Sequence, residues 1–209
     1  MIVTDLRKRR HRLTALFFQG WEEAVLLDTE TLLLAGIRVG QELSEEDLSA
    51  LQEKSNRNRA CEKALYLLEY RPHSRQELLN KVLREYPEEA AWEAVERVAE
   101  LGLLNDEQYA ADLAQEFLNR KGYGVHRARQ ELMRRGIDRD LIDTVLQNTE
   151  SDPEAQLIQI ITKKYKPVPT DRKGVEKVIA AMVRRGYEFS QVRHALQQIA
   201  EIEVEEPWQ

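Results

Sequence analysis

Met133-Arg134-Arg135-Gly136-Ile137 and Val183-Arg184-Arg185-Gly186-Tyr187 stand fifty residues apart and are nearly superimposable. Each has the form of a helix end. A basic pair sits where the helix dipole favours cations, and a glycine follows that can take positive φ. Working outward, the same period aligns Leu78, Ala128 and Val178, then Val82, Leu132 and Met182, then Arg84, Arg134 and Arg184. It also aligns Trp92, Ile142 and Val192, and Val95, Val145 and Ala195. Ser74, Gly124 and Gly174 fall where the middle helix of each copy should begin. Apolar positions in register across three copies predict tandem units of three helices each. The helices are expected over 58–70, 75–86 and 88–101, then 106–120, 124–135 and 139–147, then 154–165, 171–185 and 189–201. A unit of this size buries little alone, so stacking is expected to complete the core. On that register Trp92 belongs inside.

Punctuation along the chain agrees. Arg71-Pro72 stops a helix, because the residue before proline avoids the α region. Ser74 and Glu77 have capping-box spacing, Asn105 and Gln108 form a similar pair, and Pro87 suits a first turn. Asp152 before Pro153 marks a further start, as do Ser44 and the acids after it. Residues 1–56 read differently. His11–Phe18 and Trp21–Leu27 predict a small β-hairpin about Gln19-Gly20, followed by a short helix at Leu32–Leu34. The fold class is therefore mainly α: an elongated array of three tandem three-helix repeats (57–104, 105–150 and 151–209) behind a hairpin-and-helix region.

The 209 residues are 42% hydrophobic and 33% charged, with few glycines and prolines. A large β-sandwich is excluded on that composition. The lone Cys61 permits no internal disulfide and reads as a buried, inert thiol. No apolar run reaches the roughly 18 residues of a membrane span, and no signal-peptide core follows the basic run Arg7-Lys8-Arg9-Arg10, so a cytoplasmic protein is expected. The net charge of −6 hides an asymmetry. Glu22–Glu53 holds nine acids against Arg38, and Glu85–Leu118 ten against Arg97, whereas Lys163–Gln197 holds nine Lys/Arg against three acids.

No catalytic constellation emerges. His11, His73, His126 and His194 are scattered, no phosphate-binding glycine motif follows a strand, and Lys121-Gly122-Tyr123-Gly124 reads as a connection between helices. No enzyme activity, cofactor or metal is expected. The cations are the functional candidates: Arg120, Lys121, Arg127, Arg134 and Arg135 in the second unit, and Lys163, Lys164, Lys173, Arg184 and Arg185 in the third. The paired arginines also have a structural explanation, since a cation at a helix C-terminus gains ~0.3–1 kcal/mol from the dipole. The acidic tail with Trp208 reads as a frayed end.

Three stretches together resemble the RecX family of regulators of the RecA recombinase. The first holds Arg71, Ser74, Glu77 and Leu78 after Ala64-Leu65. The second is Leu101-Gly102-Leu103-Leu104-Asn105-Asp106, with Tyr109 and Ala110. The third runs from Lys121-Gly122 through Gly124, Arg127-Ala128 and Glu131-Leu132 to Gly136-Ile137. The resemblance implies a non-enzymatic modulator, typically an inhibitor, that binds along the groove of the RecA filament on single-stranded DNA. A short array with capped ends is itself expected to be an elongated monomer. It implies roles in recombination, DNA repair and the SOS response. Basic faces of units two and three would meet DNA or acidic filament surface, and the acidic first unit would meet basic protein. Two rivals are a direct DNA-binding protein with helix-turn-helix-like units and a scaffold array. Against the first, no helix carries an Arg/Asn/Gln cluster suited to reading bases.

Overall fold

The computed structural model describes the backbone of residues 1–205 and side chains through 201, so Trp208 lies outside the described residues. The chain forms two compact units, 1–105 and 106–209.

In the first unit, β1 (Val3–Lys8), β2 (Leu13–Phe18) and β3 (Val25–Asp28) form an antiparallel sheet in that order. The hairpin expected from the sequence is β2–β3, with Leu13 opposite Asp28 and Leu16 opposite Val25. Strand β1 was not legible; it pairs Lys8 with Thr14 and Val3 with Phe18. Val3, Leu16, Phe18 and Leu27 share a core with Leu32 of α1 (Thr29–Leu34) and with Leu48 and Leu51 of α2 (Glu45–Tyr70).

Helix α2 begins at a capping box, Ser44 with Asp47, and ends at Arg71, whose extended φ of −165° is what Pro72 demands. It is one unbroken helix of 26 residues, and position 56 lies in its middle. The reason is that it serves two cores. Its first half covers the sheet, and Ala60 and Ala64 join Leu78, Leu79 and Val82 of α3 (Arg75–Val82) with Ala91, Val95 and Val98 of α4 (Glu88–Glu100). A buried polar knot pins the changeover. Asp28 N donates to Ser55 Oγ at 2.7 Å, Thr31 N donates to Asp28 Oδ2 at 2.8 Å, and Asn58 Nδ2 donates to Thr31 Oγ1 at 3.0 Å.

The second unit holds two three-helix repeats. The first is α5 (Asp106–Gln115), extended by a π-helical turn over Glu116–Arg120, with α6 (Val125–Arg134) and α7 (Arg139–Asn148). The second is α8 (Pro153–Lys164), α9 (Arg172–Arg184) and α10 (Phe189–Glu205). Both glycine caps form as the sequence predicts. Gly136 (φ 72°) and Gly186 (φ 95°) close Schellman motifs, in which Ile137 N donates to Leu132 O and Tyr187 N to Met182 O, each at 3.2 Å.

Three expectations are corrected. Trp92 is not core; it is 43% exposed. The first turn of each third helix shows why. The amides of Ala91, Ile142 and Val192 all donate to the capping carbonyls of Pro87, Asp138 and Glu188, and all three residues are fully buried. The true counterpart of Ile142 is Ala91, so the fifty-residue period slips by one between the first two copies. Gly174 does not begin a helix. Asp171 caps α9 and accepts from Gly174 N at 3.2 Å, which makes α9 nearly one turn longer than α6 at its start. Finally, each repeat closes its own apolar core; in the second unit one forms around Ala114, Phe117, Leu132 and Ile142, the other around Leu157, Ile161, Met182 and Val192.

Candidate functional site

Within the second unit the two repeats meet through polar and backbone groups. Gly122, Tyr123 and Gly124, between the π-helical turn and α6, lie against Arg185, Gly186 and Tyr187, the exit of α9. Gly124 N donates to Arg185 O at 2.9 Å and His126 N to Gly186 O at 3.3 Å. The two glycines touch backbone to backbone. A Cβ at Gly124 would fall on the Gly186 carbonyl, and one at Gly186 would fall on the Arg127 backbone.

Arginines close this joint. Arg185 donates from Nε to Gly122 O at 2.8 Å and from NH2 to Lys121 O. Arg127 donates from NH1 to Arg184 O at 3.2 Å, and its guanidinium lies 4.8 Å from the Tyr123 ring centre. It approaches Glu131 at 3.5 Å, while its Nε is buried without a partner. Tyr187 Oη donates to Gly122 O at 3.3 Å, and burial pushes its hydroxyl pKa up.

The structure therefore divides the cations predicted from sequence. Lys121 is held 3.0 Å from Glu116 and 4.8 Å from the Phe117 ring centre. Arg120 also pairs with Glu116, at 3.0 Å, though most of its side chain is in solvent. Arg134 pairs loosely with Glu131 at 3.4 Å, and Arg135 donates to Tyr109 Oη at 3.3 Å. Arg127 and Arg185 are spent on the joint. Lys163, Lys164, Lys173 and Arg184 are exposed, as are Lys166 and Lys177; among the described residues no carboxylate stands within ion-pair distance of any of them. Five of these six lie on the last turn of α8, the connection after it and the first two turns of α9.

The motif residues of the first unit build a second polar cluster. Glu77 N donates to the capping Ser74 Oγ at 3.0 Å. Arg71 grips the Glu77 carboxylate with both terminal nitrogens, at 2.5 and 3.1 Å. Burial pushes Glu77 up, and Arg71, His73 and Lys81 more than offset it, so the carboxyl titrates below the ordinary glutamate range. His73 is buried; its Nδ1–H donates to Arg71 O at 2.8 Å, which leaves Nε2 to accept from Lys81 Nζ at 2.9 Å. Burial, with Arg71 and Lys81 nearby, holds its pKa below that of an ordinary histidine. Leu78, Ala110 and Leu132 are fully buried, Asp106 lies in the first turn of α5, and Gly124 and Gly136 are the turn residues described above. Cys61 is half-buried, and burial raises its thiol pKa. Sequence reasoning missed His73; its position between a proline and a cap was the available signal.

Among the described residues no helix is long and apolar enough to cross a membrane. The architecture defines a tandem three-helix-repeat protein, with a polar joint between the two repeats of its second unit. Residues 60–97, 105–146 and 150–196 match the family models of the first, second and third three-helix domains of RecX. The chain is 36% identical to the regulatory protein RecX of Vibrio cholerae serotype O1 over 64% of its own length and 89% of that protein. It is 27% identical to that of Caldanaerobacter subterraneus subsp. tengcongensis over 94% and 98%. A crystal structure of regulatory protein RecX superposes with a TM-score of 0.61 at 21% identity, covering 94% of this chain and 98% of the other. That of RecX from Lactobacillus salivarius gives 0.60 at 18%, covering 69% and 97%. The chain belongs to the RecX family, whose members carry the name of regulatory proteins.

Proposed function

We propose that this chain modulates the RecA recombinase in the bacterial cytoplasm, binding along the groove of the RecA filament on single-stranded DNA and inhibiting its strand exchange and ATP hydrolysis. It acts without catalysis of its own. The reading rests on family membership and on one observation of charge placement. Arg172 and Lys173 occupy the first turn of α9, the positive end of its dipole, with no acid in that turn. Cations there are disfavoured by the same field that favours them at helix exits. Arg172 has a helix-stabilising partner in Glu176, four residues on at 3.0 Å. Helix stability does not account for Lys173, whereas a polyanionic partner does. Lys163, Lys164, Lys173 and Arg184 are the contact residues this reading favours, with Arg120 and Arg134 beside them.

The test is ATP hydrolysis by RecA on single-stranded DNA, titrated with this protein below one per RecA subunit. Strong sub-stoichiometric inhibition is expected. The quadruple variant Lys163→Glu, Lys164→Glu, Lys173→Glu, Arg184→Glu should lose most of it while keeping its circular dichroism. No inhibition by the unaltered protein, with no co-sedimentation with filaments, would overturn the reading.

A further inference from the structure

The three family matches begin at residue 60, and the sheet before them carries a feature that the filament reading does not use. The first unit is acidic overall, with nineteen Asp/Glu against fifteen Lys/Arg, yet five of those fifteen cations fall within Arg7–Arg12. These six residues end β1 and form the tip of the β1–β2 hairpin, and all are exposed.

The backbone of the tip is strained. Leu13 N donates to Arg10 O at 3.4 Å, closing a turn whose central residues, His11 and Arg12, have φ of 57° and 56°. Two consecutive left-handed residues are what a type I′ turn requires, and the sequences that meet it without steric cost are Asn-Gly or Gly-Gly. Here both positions carry a large side chain. Arg12 is the anchor that holds the turn. Its carbonyl accepts from Thr29 N at 2.8 Å, and its guanidinium donates to Glu62 at 2.6 Å and reaches Glu30 at 3.5 Å. Arg7 is likewise engaged, with Asp5 at 2.6 Å and with the Phe17 ring at 4.9 Å. Lys8, Arg9 and Arg10 remain. Among the described residues none of the three has a carboxylate within ion-pair distance.

We propose that this hairpin tip is a DNA-binding site that takes the phosphate backbone of a duplex, with Lys8, Arg9 and Arg10 as the contacting cations. Strained backbone persists where the surroundings over-determine it and where the conformation serves a site. A two-stranded ribbon fits the roughly 12 Å major groove. Residues 7–12 include no Phe, Tyr or Trp to serve as a stacking platform and five of the six are cations, so the contact is to phosphates and independent of sequence. The site shares no residue with the proposed filament surface and is tested without RecA.

The experiment is fluorescence anisotropy of the full chain on a labelled 30-base-pair duplex (a length of about three helical turns) across a salt series. Each phosphate contact contributes about 0.9 to the slope of log affinity against log salt. The variant Lys8→Ser, Arg9→Ser, Arg10→Ser should bind at least tenfold more weakly at low salt, with a slope shallower by roughly 2–3. Arg9→Lys, Arg10→Lys, which keeps the charge, should retain the slope. Unchanged affinity and slope in the serine variant, with an unchanged circular dichroism spectrum, would overturn the proposal. So would a loss confined to polyglutamate, which would make the partner an acidic protein surface.

Discussion

Two sets of cations in the second unit look alike in sequence and differ in what they face. Arg127 and Arg185 meet carbonyl oxygens and an aromatic ring at a glycine-lined joint, and the contacts hold the two repeats together. Lys163, Lys173 and Lys177 face water, and Lys164 lies 5.6 Å from the Tyr165 ring centre; none of the four has a carboxylate in ion-pair range among the described residues. What separates them is the acceptor. A guanidinium satisfies two carbonyls at once with donors fixed in a planar fork, a geometry that the rotatable donors of an ammonium do not preset. Glycines bring those carbonyls within reach. Charge density along a sequence therefore does not measure the charge available to a partner.

The most severe way to break the contrast is to separate the repeats. Gly186→Ala combines a left-handed φ of 95° with a collision against the Arg127 backbone. It should destabilise the second unit by roughly 2–5 kcal/mol, as strain and overpacking add. Urea unfolding followed by circular dichroism reads this directly. A stability within 0.5 kcal/mol of the unaltered protein would mean that the joint does not form in solution.

Next in size, Arg185→Ala should cost about 2–3 kcal/mol, because it leaves two carbonyls without their charged donor. Lys173→Ala should stay within about 0.5 kcal/mol, as exposed substitutions do. The pair reverses in a filament-binding assay, where Lys173→Ala is expected to weaken binding and its salt dependence. Equal effects of the two on stability would erase the distinction drawn here.

This difference also marks how far the sequence could be read. The helix order, the caps at Ser44, Asp152, Gly136 and Gly186, and the arrest at Pro72 follow from local backbone chemistry, which a sequence displays. Strand β1 did not show, because Val3–Lys8 has no clean alternation and owes its pairing to β2. The continuity of α2 depends on two cores at once. Trp92 was misplaced by a single-residue slip in the repeat. The division of the arginines is the least legible feature, since Arg134-Arg135 and Arg184-Arg185 are the same dipeptide. Only the position of Gly122 against Arg185 shows what the second arginine of the later pair does.

Lys81 extends the comparison to the first unit, where a cation is held by a neutral imidazole. Protonation of His73 at Nε2 would remove the acceptor that Lys81 uses and place a charge beside Arg71. The folded pKa lies below the unfolded one, so the unfolded chain binds more protons and stability rises with pH. The contribution is fully present above the ordinary histidine value of about 6.5 and is lost as pH falls below it. Glu77 adds a loss of the same sign at lower pH, beneath the usual glutamate range. Thermal unfolding between pH 7.5 and 5 should show a falling Tm, and His73→Gln should flatten the upper part of that fall. A Tm of the unaltered protein that rises on acidification would contradict the assigned hydrogen-bond direction.

The smallest effect discriminates most finely, because it compares neighbours. Arg184 and Arg185 end the same helix, yet Arg184 contributes to the joint only through its carbonyl, which accepts from Arg127. Its side chain is exposed at the helix exit, where the dipole gives it ~0.3–1 kcal/mol. Arg184→Ala should cost no more than that, with the loss shrinking in salt as the dipole interaction is screened. The loss in Arg185→Ala, which comes from direct hydrogen bonds to carbonyls, should persist in 0.5 M salt, where the Debye length falls below about 8 Å. Unfolding of both variants at low and high salt reads the two behaviours separately. If the cost of Arg184→Ala matched that of Arg185→Ala and resisted salt, the first arginine would also be a joint residue, and it would leave the set proposed to meet the filament.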